Sequence, residues 1–426
     1  MIVAAEWIFP VTKPPLFRHA IDIQNGIIQT IRPVRDTDPF LAEICILPGL
    51  VNAHVHLAYT ALRNQFDDLP FFAWIRKLTE IKYQKLTEED IVLSTRLGIW
   101  ECLKAGITTV ADLCDLEPAA RALSQSPLRG IFYWEFFGIE KAQAQESWEA
   151  LQETFPRLQQ QYGGGKLRIG ISPHACYTVR PELYRKAAEF SLQHQVPVSF
   201  HVAESKEEEE FIGKRTGVIQ QFLATRAQDW EISGPTSVAH LQKTGIFQTA
   251  PLLAHLVQVS EEDLKILACH DVRVAHCPKS NAKFGHGIAP VIELQRKGLV
   301  VGIGTDSAAS NNRLDLFEEA RVALLQQRSR NRKMVLNEGT LLEMMTIDGA
   351  RAMGLEKEIG SIEVGKQADL IAVRIPPFYT KSHEVLCHII HNATAADVTK
   401  TIIGGKEINT SDELEGIREL SHKLQS

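Results

Sequence analysis

Two histidines one residue apart, His54 and His56 in NAHVH, close a short run of apolar and β-branched residues. Alternate side chains of an extended strand face the same way, so both imidazoles project together from one strand end. Three more groups end runs of the same texture: His201 in VSFHV, His255 in LLAH and Asp306 in GIGTD. Imidazole nitrogens with a carboxylate oxygen form a donor set suited to Zn2+, with Fe2+ as the alternative. A lone histidine is ordinarily a core or surface residue; five such groups at the ends of four runs point to a metal site. Glu204, three residues past His201, falls where the chain should leave its strand. A carboxylate there can shuttle the proton of a metal-held water. The competing reading makes it the start of the acidic stretch SKEEEE, charge that favours a helix N-terminus.

Eight strand-like runs carry these groups: GLVNAHVH, GITTVADL, GIFYWEFF, LRIGISPH, VPVSFHV, APLLAHLV, VRVAHCP and LVVGIGTD. Helix patterns separate them, among them EEDIVLSTRLGIWECLKA, PELYRKAAEFSLQH and RLDLFEEARVALLQQ. Eight such runs separated by helices predict an α/β fold, a (β/α)8 TIM barrel whose chemistry sits at the C-terminal ends of its strands. Short β runs flank this region on both sides, with an Asn25-Gly26 hairpin signal near the start and GSIEVGKQADLIAVRI and KTIIGGKEI near the end. The expected organisation is a barrel at 48–359 inserted in a small β-sandwich-like domain built from both chain ends (1–47 and 360–410), with 411–426 as a C-terminal tail. No internal repeat is apparent. The aromatic run FYWEFF (132–137) and Trp74 are candidates to wall a pocket for a flat heterocycle, although most aromatic residues in such runs simply pack the core.

Composition narrows the partners. Forty-six Lys and Arg against 52 Asp and Glu leave a net charge of −6, and the densest basic cluster, RSRNRK at 328–333, reads as a solvated helix end. Nothing here predicts nucleic-acid binding, which needs clustered positive charge. No apolar run reaches the roughly 18 residues that a membrane helix needs. The N-terminus lacks a positive n-region and contains Glu6, unlike a secretory signal. Seven cysteines, scattered and never in a CxxC pair, fit neither a disulfide framework nor a cysteine zinc site, so a reducing cytoplasm is the expected location. The partner expected is a small-molecule heterocycle, and a homo-oligomer is compatible with the sequence.

At this point the chain resembles the amidohydrolase superfamily, specifically its mononuclear deaminase and chlorohydrolase (triazine hydrolase-like) branch. The resemblance spans nearly the whole chain and rests on PGLVNAHVHL (48–57), GITTVAD (106–112), SPHACYTV (172–179), HVAES (201–205), LLAHLVQVS (252–260), HCPKSNAKFGHGIAPV (276–291), GTDSAASNNRLDLFEEAR (304–321) and GSIEVGKQADLIAV (360–373). It implies one divalent metal, Zn2+ first and Fe2+ second, with His54, His56, His201 and Asp306 as ligands. It implies further that His255 orients or deprotonates the metal-held water, that Glu204 passes the proton onward, and that His174 contacts the substrate ring. Binuclear members of the superfamily bridge two metals through a lysine ending strand four; here that strand ends in ISPHA, which favours one metal. His276 is expected to brace the strand-seven loop by hydrogen bonding rather than to ligate, and His286 is the least settled of the remaining histidines. Adenosine-type relatives carry a tryptophan-proline-x-glutamate stretch after strand one whose glutamate contacts the ribose. The corresponding WIRKLTEIKYQKLTEED places Tyr83 at that position, with Glu80 one turn earlier, so sugar recognition is left open between them.

The resulting expectation is a metal-dependent hydrolytic deaminase that attacks an amine-bearing carbon of an N-heterocycle and releases ammonia. The metal lowers the pKa of the water it holds to about 7. His255 would hold that water and Asp306 would share in taking its proton. Glu204 would protonate the neighbouring ring nitrogen. Nucleobase-like and nucleoside-like substrates fit, and the family resemblance alone adds aminodeoxyfutalosine as a specific candidate. The alternatives are chlorohydrolysis or amine displacement on a triazine-like ring, or cyclic amide hydrolysis. A non-enzymatic barrel scaffold is the reading from another class, and it should have lost ligands; none is missing.

Overall fold

The computed structural model describes residues 1–409 except 224, 227 and 228. The expected tail at 411–426 lies outside the described residues. Four strands open the chain: β1 (Ile2–Ile8), β2 (Leu16–Gln24), β3 (Ile27–Pro33) and β4 (Phe40–Pro48). Eight follow, alternating with helices: β5 (Leu50–Val55), β6 (Ile107–Cys114), β7 (Arg129–Phe136), β8 (Leu167–Pro173), β9 (Ser199–Val202), β10 (Leu252–His255), β11 (Arg273–His276) and β12 (Val300–Ile303). The chain returns to β structure in β13 (Leu370–Arg374), β14 (Val398–Ile403) and β15 (Lys406–Glu407).

β5 to β12 are the staves of a TIM barrel, paired in parallel as β5-β6-β7-β8 and β9-β10-β11-β12. Parallel bridges Ile171–Val198 and Ala175–His201 join β8 to β9. The last seam, β12 against β5, is held by the Asp306 amide donating to the His54 carbonyl at 3.0 Å and by Thr305 bonding the Asn52 side chain. Small residues make this approach possible. A Cβ on Gly302 would lie 3.1 Å from the Ala53 Cβ, and one on Gly304 would lie 2.8 Å from the His54 Cβ and 3.0 Å from its amide nitrogen. Gly304→Ala is therefore expected to cost about 1–3 kcal/mol in urea unfolding and to displace His54, lowering retained metal in the same preparation.

The strands from the two chain ends share one seven-stranded sheet, ordered β15-β14-β13-β4-β1-β2-β3. Its β3 edge folds back onto the segment leading into β13: the Ile28 amide donates to the Lys366 carbonyl, and the Ala368 amide to that of Gly26. The sheet thus closes sandwich-like around Ile8, Ile21, Ile28, Ile46, Leu370 and Ile402. The Asn25-Gly26 turn has both residues at positive φ, 52° and 80°, as a tight two-residue hairpin requires. β4 runs directly into β5, so the sheet anchors the strand that carries His54 and His56. The helix Leu316–Asn331 ends inside the basic cluster, which caps its C-terminus. Among the described residues no helix is long and apolar enough to cross a membrane.

Candidate metal centre and active site

β5, β9, β10 and β12 deliver the expected donor groups to one end of the barrel. His56 and His201 face each other with their Nε2 atoms 3.3 Å apart. Each Nδ1 lies on a main-chain carbonyl, that of Leu113 at 2.8 Å for His56 and that of His174 at 2.9 Å for His201. A carbonyl only accepts, so both Nδ1 atoms carry the proton and both Nε2 atoms present lone pairs to the same point. Asp306 Oδ1 is 3.6 Å from the His56 Nε2 and 3.7 Å from the His54 Nε2. Both nitrogens of the fully buried His54 lack a hydrogen-bond partner. Converging lone pairs, a carboxylate and an orphaned imidazole repel or waste one another unless a cation joins them, which is the arrangement zinc ligands require. The residues fit one divalent metal.

The electrostatics agree. Burial, reinforced by the neighbouring imidazoles, holds His56 down to about 4 and His201 well below the usual histidine range, and burial also lowers His54, so all three stay neutral. Burial alone would raise Asp306, but the imidazoles of His54, His56 and His255 outweigh it and keep the carboxylate charged. The other oxygen of Asp306, Oδ2, accepts from Ser280 at 2.6 Å and Ser310 at 2.7 Å, which turns Oδ1 toward the histidines. Asp306 and His255 adopt left-handed backbone (φ 57° and 74°), an unfavourable conformation for such residues that aims side chains ending β12 and β10 inward.

Glu204 lies just outside the first turn of the helix Lys206–Lys214, whose N-cap is Ser205. The acidic helix start exists, but its work is done by Glu208: that carboxylate accepts from the Ala203 amide at 2.8 Å and the Glu204 amide at 2.9 Å. Glu204 itself is 5% exposed, with Oε1 3.6 Å from the Nε2 of both His255 and His286. Burial pushes its carboxyl up to about 7 against the pull of His255. His255 donates from Nδ1 to the Asn281 side-chain oxygen at 2.9 Å, leaving Nε2 toward Glu204 and the metal-facing groups. His174 gives its Nδ1 proton to Thr178 at 2.7 Å and its ring stands 4.8 Å from that of His201.

A cavity of about 900 Å3 opens over these groups, near the top of the roughly 300–1,000 Å3 range of small-ligand sites. One wall is aromatic: Phe71, Trp74 and Phe284 pack together, and Phe71 meets the His286 ring edge-on at 4.5 Å. Trp74 and Phe137 line the cavity, whereas Phe132, Tyr133 and Phe136 of the same aromatic run pack the interior. Glu80 and Tyr83 both border it; Glu80 pairs with Lys77 at 3.2 Å, and Tyr83 donates to Asp115.

Two histidines depart from expectation. The imidazole of His276 is fully buried, and neither nitrogen is hydrogen-bonded among the described residues, so the ring forms no hydrogen-bonded brace; the connection after β11 is tied instead by its carbonyl, which accepts from the Gly304 amide at 2.9 Å. His286, the least settled of the remaining histidines, stands beside Glu204 in the site. Glu208, Ser280, Asn281, Ser310 and Glu135 were also missed. Only Glu208 had a local signal, its place three residues after a Ser N-cap.

Barrel, strand-end donor set and composite sheet together define a metal-dependent hydrolase, and the amidohydrolase family profile matches residues 45–408. The chain belongs to the amidohydrolase family. It is 35% identical over 390 residues to the 5-methylthioadenosine/S-adenosylhomocysteine deaminase of Pelotomaculum thermopropionicum, covering 90% of this chain and 84% of that protein. The enzyme of the same name from Syntrophomonas wolfei is 36% identical over 393 residues, covering 89% and 86%. Among solved structures, an adenosine deaminase from Xanthomonas campestris with bound zinc superposes with a TM-score of 0.86 at 28% identity, over 100% of this chain and 98% of that one. The Helicobacter pylori aminofutalosine deaminase shares the fold, with a TM-score of 0.83 at 23% identity over 96% of this chain and 100% of that one.

Proposed function

We propose that this protein is a zinc-dependent hydrolytic deaminase of an aminopurine nucleoside or a close relative, releasing ammonia. The observation that carries the reading is the convergence of two imidazole lone pairs and the Asp306 carboxylate beneath a buried Glu204 whose carboxyl burial raises to about 7. His54, His56, His201 and Asp306 would hold the ion. When bound there, zinc supplies Lewis-acid activation of water, bringing its pKa to about 7.

The chain's own groups divide the remaining work. His255, fixed by Asn281, would orient the attacking water and receive or share its proton with Asp306. Glu204 would give a proton to the ring nitrogen beside the attacked carbon, which drains electron density from that carbon; the water proton taken by His255 or Asp306 would pass to the amine, which leaves as ammonia, and the remaining hydroxyl proton would return to Glu204. His174 would meet the ring through its free Nε2. The aromatic wall would hold a flat ring and exclude water. Support for the nucleoside class comes from the names of the relatives at 33–37% identity. We also take the chain to divide into a barrel at 48–359 and a composite β domain from 1–47 and 360–410, and to work in the cytoplasm, where its seven free cysteines are at home.

The test is ammonia release from a panel of aminopurine nucleosides, free aminopurines, aminopyrimidines and triazines. The nucleosides are expected to dominate. Turnover confined to triazines, or none on any nucleoside, would overturn the reading.

A further inference from the structure

Lys82 stands apart from both the metal-facing groups and the ordinary surface. It sits on the helix Phe71–Gln84, is only 6% exposed, and lines the cavity. Its ammonium pairs with Asp115, which also accepts from the Tyr83 hydroxyl, and lies 5.2 Å, 4.7 Å and 5.9 Å from the rings of Tyr59, Tyr83 and Phe137. An ammonium carries three donors; among the described residues Asp115 takes one and the Tyr83 hydroxyl lies against it as well, which leaves a donor for a ligand. On β7, Glu135 is 3% exposed and lines the same cavity, and its Oε1 makes no hydrogen bond.

A buried lysine and a buried carboxyl kept only for folding would be expected to satisfy each other, because an unmet buried polar atom costs about 1–3 kcal/mol. These two do not. A spare donor on Lys82 and an unbonded oxygen on Glu135, both lining one cavity, complement a ligand group that both accepts and donates, which is what a hydroxyl does. Their position is informative too. Glu135 lies within 4.8 Å of ring nitrogens of His174 and His201, while Tyr83 beside Lys82 is 53% exposed at the mouth. Glu135 therefore stands at the inner end beside the ring and Lys82 toward the mouth, and a group that meets both lies on the way from the reacting ring to solvent, where a nucleoside carries its sugar.

We propose that Lys82 and Glu135 bind a sugar hydroxyl of the nucleoside, Lys82 donating to its oxygen and Glu135 accepting its proton, with Asp115 and Tyr83 positioning the ammonium. This rests on the deaminase reading above. It replaces Glu80 and Tyr83 as the direct contacts: Glu80 is held by Lys77 with its side chain 44% exposed, and Tyr83 is spent on Asp115.

The experiment measures kcat and KM for ammonia release by the zinc-loaded enzyme. Substrates are an aminopurine ribonucleoside and its 2′-deoxy and 3′-deoxy counterparts, each compared in wild type, Lys82→Met and Glu135→Gln. Wild type should lose roughly 10- to 100-fold in kcat/KM on at least one deoxy substrate, the usual scale for a hydrogen bond to a charged group. Lys82→Met should lose a similar factor on the ribonucleoside, and Glu135→Gln, whose carboxyl burial pushes up to about 8, a smaller one of roughly 2- to 10-fold; both losses should fall mainly on KM and change little on that deoxy substrate, so the preference shrinks. Glu135→Gln keeps the side chain's shape, so it carries the comparison alone should Lys82→Met fail to fold. Equal wild-type rates on all three nucleosides, or variants that slow all three alike, would overturn this proposal and leave the deaminase intact. No turnover of any nucleoside would overturn both.

Discussion

Glu204→Gln is expected to keep its metal and its fold while turnover falls by roughly 10²- to 10⁴-fold, the scale of a lost general acid or base. The substitution changes almost nothing but the proton. Glutamine fills the same space, and the main chain at this position is pinned independently of the side chain by Glu208 accepting from the Ala203 and Glu204 amides. What disappears is a carboxyl that burial holds near neutrality, its pKa raised to about 7, within 3.6 Å of both His255 and His286. Such a group exchanges protons readily at neutral pH, and an amide does not. Metal content by elemental analysis and kcat on the same preparation check the prediction. Near-normal turnover would return Glu204 to a packing role at the helix start.

Asp306→Ala and His255→Ala are expected to fail in different ways. Asp306 faces His54 and His56 through Oδ1 and is gripped by two serine hydroxyls through Oδ2, so its loss removes a charged donor from the centre of the cluster. Metal and activity should vanish together. His255 is fixed through Nδ1 by Asn281 and turns Nε2 toward Glu204, so its loss should leave most of the metal bound while turnover collapses. Groups that act around a metal without ligating it typically shift affinity or activity by about 10–100-fold, which keeps the two patterns separable. Equal metal loss in both variants would place His255 among the ligands.

The strand ends were legible because two regularities coincide. A strand's period of two put His54 and His56 on one side, and a barrel strand that ends in a polar residue after an apolar run announces its own mouth. What the sequence concealed is the grip on those groups. Ser280 and Ser310 are unremarkable loop residues until the fold brings both hydroxyls onto Asp306. Glu135 sits inside an aromatic run that reads as core, and part of that run is core. Its partner Lys82 carried a faint mark: it continues the Ile75 and Leu78 side of its helix, a face that should be apolar. His276 misled in the opposite direction, since its place at a strand end suggested a bonded imidazole, whereas its main-chain carbonyl makes the contact. The β12–β5 seam likewise depends on glycines whose purpose appears only when Ala53 and His54 lie against them.

The central claim, a single-metal hydrolytic deaminase, is tested most directly by stripping the protein of metal and restoring zinc in steps while ammonia release from an aminopurine nucleoside is followed. We take His54, His56, His201 and Asp306, gathered around the His56–His201 contact, as the ligands of one ion, so the rate should rise linearly and level at one zinc per chain. A rate that levels only at two zinc ions per chain, or ammonia release that persists without metal, would contradict it.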